Sequence, residues 1–165
     1  MHTAAVLTVS DSVARGQRTD RSGPATAEVL QQHGFDVTQQ RAVIDDRSEI
    51  EQTLIQLSGQ VRLVVTTGGT GISERDVTPD ATRAVCSKLI DGIPQKMRAD
   101  GLSATPTAIL SRGVCGVHGR SLILNLPGSP KGAVENLEAV WPAVPHAVEK
   151  IQGDQSECAI QHHSH

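Results

Sequence analysis

Two short glycine-bearing stretches hold most of this chain's potential for chemistry. Thr67-Gly68-Gly69-Thr70-Gly71 is followed within a few residues by Arg75 and Asp76, and Pro127-Gly128-Ser129-Pro130-Lys131-Gly132 carries a lysine. Glycines let backbone N–H groups converge on an anion with no Cβ in the way. A neighbouring arginine or lysine balances phosphate charge, and a carboxylate can hold a cation shared with phosphates. Together these residues point to a phosphorylated ligand. The pair Asp45-Asp46 falls where a predicted strand hands over to a predicted helix. That is the edge at which open α/β sheets bind ligands, although an aspartate such as Asp46 reads equally well as a helix N-cap.

Two common phosphate motifs are excluded. A P-loop needs Lys and Ser/Thr after its last glycine, whereas Gly71 is followed by Ile72 and Ser73. The dinucleotide fingerprint needs a third glycine where this chain has Glu74. Taken singly, the first turn is also compatible with a plain tight connection.

The elements that must position these residues follow from periodicity. Leu63 to Thr66 is an apolar, β-branched run that predicts a strand buried on both faces, and Thr78-Pro79-Asp80 predicts the start of a helix reaching about Leu89. Ala4 to Val9 predicts another buried strand, ending at Ser10-Asp11-Ser12. Val13 to Arg21 is polar and rich in turn formers, the composition of a surface loop that folds over a site. Ser22-Gly23-Pro24 opens a helix to about His33, Phe35 to Ile44 predicts a second strand, and Ile50, Leu54 and Leu57 put one apolar stripe on the next helix. Asp91-Gly92-Ile93-Pro94 predicts a break, and Gln95 to Leu102 a short helix whose Lys96 and Arg98 are either a solvated face or an anion contact. Ala108 to Val117 and Ser121 to Leu126 flank His118-Gly119-Arg120 as a hairpin, which requires one antiparallel strand. Ser129 and Pro130 then start a helix through Val134, Leu137 and Val140, bent or interrupted at Pro142 and Pro145. The repeated strand-then-helix order predicts an α/β fold, a three-layer α/β/α domain over residues 1–152 with a mostly parallel mixed sheet.

Composition narrows the function classes. Phe35 and Trp141 are the only aromatics, so stacking platforms for single-stranded nucleic acid are missing, and a net charge of −3 offers no footprint for DNA or RNA. No window approaches the ~20 apolar residues of a membrane span, and no targeting segment is read at the start, so a cytoplasmic protein is expected. Cys86, Cys115 and Cys158 are far apart and odd in number, which suits a reducing compartment and neither a disulfide framework nor a zinc site. The polar tail, 153–165, is predicted to be disordered, with His162, His163 and His165 able at most to hold a metal loosely.

The two glycine stretches, with Arg75-Asp76-Val77-Thr78-Pro79-Asp80 and Asn125-Leu126 joined to them, resemble the MogA/MoaB family of molybdenum cofactor biosynthesis proteins. Ser10-Asp11, Asp20-Arg21-Ser22-Gly23-Pro24 and Lys96-Met97-Arg98 agree, so the likeness runs from about Ala4 to Ile151. The resemblance implies a homotrimer that binds molybdopterin and, in its active branch, adenylylates it with Mg-ATP, releasing pyrophosphate. It implies that Asp46 and Asp76 are the catalytic carboxylates and hold Mg2+. By the same likeness Thr67, Gly68, Gly69, Thr70 and Gly71, bordered by Ser10 and Asp11, take the nucleotide and its phosphates. Pro127, Gly128, Ser129 and Lys131, with Arg75, then take the pterin. Asp45 stands where many relatives carry proline, so Asp45 and Asp46 can exchange roles. The alternative within the family is a carrier or scaffold that binds molybdopterin without adenylylating it, and the molybdate-inserting protein of the pathway is a further implied partner. Outside the family, an unrelated nucleotide-binding α/β protein would bind ATP with no preference for the pterin.

Overall fold

Strands β1 (Thr3–Val9), β2 (Asp36–Val43), β3 (Leu63–Thr67), β4 (Lys88–Leu89), β5 (Cys115–His118) and β6 (Ser121–Leu126) form one sheet in the order β2-β1-β3-β6-β5-β4. This is the arrangement in a computed structural model, which describes residues 1–153. The four strands β2, β1, β3 and β6 are parallel, β5 is antiparallel to β6, and β4 is antiparallel to β5. Only β5 therefore runs against the rest, as the hairpin at Gly119 demands. Cys158, His162, His163 and His165 lie outside the described residues.

Alternate side chains of each strand serve opposite layers. Ala4 and Val6 of β1, with Leu63, Val65, Leu122 and Leu124, pack against helices α2 (Ser22–Gln32), α5 (Gly92–Gly101), α6 (Pro130–Val140) and α7 (Val144–Ile151). Ala5, Leu7 and Val9, with Val64 and Ile123, pack against α3 (Arg47–Ser58) and α4 (Thr78–Val85). β3 and β6 are buried along their whole lengths, which is why they read as continuous apolar runs. Among the described residues no helix is long and apolar enough to cross a membrane. Cys86 and Cys115 are free thiols whose pKa values burial pushes up to about 11 and about 12, so neither is a ready nucleophile.

Several boundaries differ from the periodicity. α4 stops at Val85 rather than near Leu89, because Cys86 turns extended and Ser87 N–H and Ile90 N–H bond to Val117 O and Cys115 O. An edge strand thus takes over where helix periodicity ran on. The hairpin's first arm begins only at Cys115, since Pro106–Leu110 forms a 3-10 turn started by Thr105 and Pro106. α5 begins at Gly92, with Pro94 inside its first turn where a missing N–H is harmless. The predicted loop after Ser10 opens with a one-turn helix, α1 (Asp11–Ala14), capped by the Ser10 hydroxyl. Pro142 interrupts the last helix as a 3-10 turn, Trp141–Ala143, and α7 resumes after it.

One buried side chain pins the sheet beneath both glycine turns. Asn125 is 1 % exposed; its amide donates to the Thr66 and Thr82 hydroxyls, each at 3.0 Å, and its carbonyl accepts from Val114 N–H at 3.1 Å. Removing it orphans Val114 N–H and the Thr66 hydroxyl in the interior, while the Thr82 hydroxyl keeps its bond to Thr78 O, and each such loss costs about 1–3 kcal/mol before relaxation. Asn125→Ala is expected to lower unfolding free energy by about 3 kcal/mol, seen as a lower urea midpoint with an unchanged slope.

Candidate active site

Because β2, β1, β3 and β6 are parallel, their carboxyl ends share one rim, and each is followed there by a polar segment. Ser10 follows β1, Asp45 follows β2, the Gly68 turn follows β3 and the Pro127 turn follows β6. Gly68 and Gly69 hold φ of 94° and 66°, conformations that a side chain would strain. Gly68 N–H bonds to Leu126 O at 3.1 Å, and the Thr78 hydroxyl and N–H bond back to Gly68 O and Gly69 O at 3.0 and 3.2 Å. The two turns touch, since a Cβ on Gly128 would sit 3.3 Å from the Gly68 Cα.

Two cavities open on either side of this ridge. The first, about 540 Å³, is walled by Ser10, Arg18, Asp20, Arg21, Asp45 and Asp76, with Gly68, Gly69 and Gly128 in its lining. The second, about 400 Å³, has apolar walls from Ile72, Pro94, Met97 and Leu110 and polar groups from Arg98, Ser111 and Asn136, with Thr70, Gly71 and Pro127 on its near side. Ser129 lines both. Its hydroxyl also accepts from Gly132 N–H, capping α6.

The structure brings some of the sequence-derived residues together and leaves others aside. Asp46 is exposed, and its carboxylate caps α3 by accepting from Glu49 N–H at 2.9 Å, so the cavity lining holds Asp45 in its place. Thr67 is fully buried with its hydroxyl 2.9 Å from that of Ser22. Lys131 is 83 % exposed and faces Glu135 along α6. Asp11 and Arg75 stand behind the lining: Arg75 Nη2 donates to Asp11 Oδ2 at 2.5 Å. Asp11 and Asp45 clasp each other, Asp11 N–H bonding to Asp45 Oδ2 at 3.1 Å and Asp45 N–H to Asp11 Oδ1 at 2.9 Å.

Asp45 and Asp76 flank the glycine ridge. A Cβ on Gly69 would lie 3.3 Å from Asp45 Oδ1, and one on Gly71 would lie 2.7 Å from Asp76 Oδ2. Burial pushes the Asp45 carboxyl above its usual value, a bond from Asp11 N–H opposes this, the charge of Asp11 adds to it, and the charge of Arg75 opposes that of Asp76. Asp11 moves the other way, held low by the Asp45 N–H and then by Arg75. A cation beside Asp45 would favour the ionised carboxylate that burial disfavours. Among the described residues no three carboxylate, histidine or cysteine side chains converge as a self-sufficient metal site. Two carboxylates with the rest of the shell from phosphate and water is the way Mg2+ is held beside nucleotides.

Residues that motif spacing did not single out as site residues complete the walls. Arg18, Thr19, Asp20 and Arg21 come from the segment after α1, whose polar composition was the available signal for a covering loop. Arg98 was visible only as one of two cations on a helix; the fold turns it inward, with Nη1 near Ser111 O and Gly113 O at 3.4 and 3.3 Å, while Lys96 pairs outside with Asp100.

Comparison with known proteins gives a consistent match. The model of a family described as a probable molybdopterin binding domain matches residues 5–146. A molybdopterin adenylyltransferase of Helicobacter pylori strain J99 is 45% identical over 153 residues, covering 90% of this chain and 87% of that protein. The Escherichia coli K12 protein of the same name is 38% identical over 171 aligned positions, covering 93% and 87%. The crystal structure of the molybdopterin biosynthesis enzyme MoaB from Thermus thermophilus superposes with a TM-score of 0.87 at 46% identity, covering 93% of this chain and 98% of that one.

Proposed function

The chain belongs to the probable molybdopterin binding domain family, and from that premise we propose that it is a molybdopterin adenylyltransferase of molybdenum cofactor biosynthesis, which uses Mg-ATP and releases pyrophosphate. The observation that carries the reading is the meeting of two chemically unlike cavities at one glycine ridge, with Asp45 and Asp76 beside it.

The first cavity suits a polyphosphate. Arg18 and Arg21 bring positive charge, Asp20, Asp45 and Asp76 bring negative charge that suits a polyphosphate carried with a cation, and the glycine turns let the ligand approach the backbone closely. The second suits a flat heterocycle with a polar edge, because Met97, Pro94 and Leu110 make its walls and Arg98, Ser111 and Asn136 offer hydrogen-bonding groups. Molybdopterin bound there places its terminal phosphate near Ser129, facing the α-phosphate of ATP. An oxygen of the molybdopterin phosphate then bonds to the α-phosphorus, the α–β bridging P–O bond breaks, and its electron pair leaves with pyrophosphate. A divalent cation held by Asp45 and Asp76 supplies neutralisation of the charge that builds on the α-phosphate and leaving group. The attacking phosphate is already an anion, so no side chain has to remove a proton. What the chain contributes is placement and charge balance, the main requirements of such transfers.

The same reading puts the protein in the cytoplasm, where the unpaired thiols of Cys86 and Cys115 suit a reducing milieu, and makes it a homotrimer, for which exposed Leu89, Leu102 and Ile109 offer apolar surface. Its product then passes to the molybdate-inserting step. The test is to mix purified protein with molybdopterin and Mg-ATP. Equal amounts of pyrophosphate and adenylylated molybdopterin are expected; tight binding of molybdopterin without pyrophosphate would make the protein a carrier instead.

A further inference from the structure

We propose that Arg112 is a positioning residue that fixes the Asp76 loop against the rim of the sheet. What that loop does rests on the adenylyl-transfer reading; the clamp itself rests on geometry. Arg112 N–H donates to Thr70 O at 2.8 Å, its Nη1 donates to Asp76 O at 3.1 Å and approaches Gly71 O at 3.5 Å, and its Nη2 lies 2.8 and 2.9 Å from the two carboxylate oxygens of Asp80. One residue thus fastens both ends of residues 70–76 and the first turn of α4.

Thr78 closes the neck of the loop through Gly68 O and Gly69 O, and beyond that the loop has little else to hold it. Ile72, Ser73, Glu74 and Arg75 are exposed, and the bonds from Ser73 to the Asp76 carboxylate and from Asp76 N–H to Ser73 O are internal to the loop. Arg75 reaches Asp11 from outside, but with 62 % of its side chain exposed that tie is solvated and weak. Arg112 is itself anchored from the other side, where Arg98 holds the carbonyls of Ser111 and Gly113 on either flank. It lines neither cavity, so it acts on the reaction only through the segment it holds, from Thr70 and Gly71 to Asp76. A planar fork serves two carbonyls and a carboxylate at once; an ammonium on a flexible stem cannot.

Arg112→Gln and Asp80→Asn are the variants, each read by amide hydrogen exchange and by steady-state kinetics. Exchange is expected to accelerate across residues 71–77 and to stay unchanged in β1 and β3. Displacing a reacting group by about 1 Å costs about 100-fold, so kcat should fall by about that factor in Arg112→Gln while KM for ATP and molybdopterin stays near wild type. Half-saturation by Mg2+ should rise, Arg112→Lys should recover part of the loss, and the double variant should be no worse than Arg112→Gln alone. Unchanged exchange in the loop, exchange raised throughout the domain, or a faster-exchanging loop with wild-type kcat would each overturn the proposal. If the wild-type protein releases no pyrophosphate, the adenylyl-transfer reading fails instead. The exchange data then still decide the clamp, because acceleration confined to 71–77 supports it and any other pattern overturns it.

Discussion

Asp45→Asn is expected to reduce pyrophosphate release by about 10³-fold while leaving the ligand-free protein at least as stable as wild type. The factor follows from losing one of the two carboxylates proposed to hold the metal, a contribution of several kcal/mol at about 1.4 kcal/mol per tenfold. The stability follows from the direction of the Asp45 pKa. Burial, Asp11 and Asp76 raise it, so the folded protein binds that proton more tightly than the unfolded chain. The sign is therefore that Asp45 favours the fold while protonated and loses this contribution as pH rises through its raised value. At neutral pH its charge works against the fold, and an asparagine removes that charge while still offering Oδ1 to Asp11 N–H. Thermal unfolding with no ligand should rise or stay level in Asp45→Asn, and added Mg-ATP should stabilise wild type far more than the variant. The neighbouring position gives the contrast. Asp46→Ala removes the α3 cap and should cost about 1 kcal/mol of stability, with turnover near wild type. Loss of turnover in Asp46→Ala with activity kept in Asp45→Asn would reverse the assignment.

Gly69→Val is expected to weaken nucleotide binding by at least about 100-fold, because two separate penalties act at one residue. Gly69 holds φ of 66°, which a β-branched side chain adopts only under strain, and its Cβ would collide with the Thr78 hydroxyl and press on Asp45 Oδ1 at 3.3 Å. The Thr78 hydroxyl cannot yield freely, since it bonds to Gly68 O from the first turn of α4. Titration of ATP into the variant, with circular dichroism to follow the fold, separates lost binding from lost structure. Unchanged affinity would mean that the ridge between the cavities does not hold the nucleotide.

Much of the fold was legible because burial leaves a direct mark on composition. The continuous apolar runs Ala4–Val9, Leu63–Thr66 and Leu122–Leu126 are three of the four parallel strands, and the glycine turns after the last two are where they were expected. What stayed hidden depended on contacts distant in sequence. Cys86 to Ile90 looks like a continuing helix until β5 offers its carbonyls, and Arg98 looks solvated until the 3-10 turn Pro106–Leu110 and Ser111 fold over it. The aspartate pair is the sharpest case. Both residues suit a cap, and backbone direction gives it to Asp46, which meets Glu49 N–H, while Asp45 clasps Asp11 and lines the cavity. Arg112 left no mark at all, because its partners Thr70, Gly71, Asp76 and Asp80 lie over thirty positions away.

The most direct test of the account is anomalous scattering from a crystal of the protein grown with Mn2+ and a non-hydrolysable ATP analogue. The account predicts a manganese peak in direct coordination to Asp45 and Asp76, with the remaining ligands from phosphate oxygens and water. A peak on Asp46, or an ordered nucleotide whose metal touches neither Asp45 nor Asp76, would contradict it.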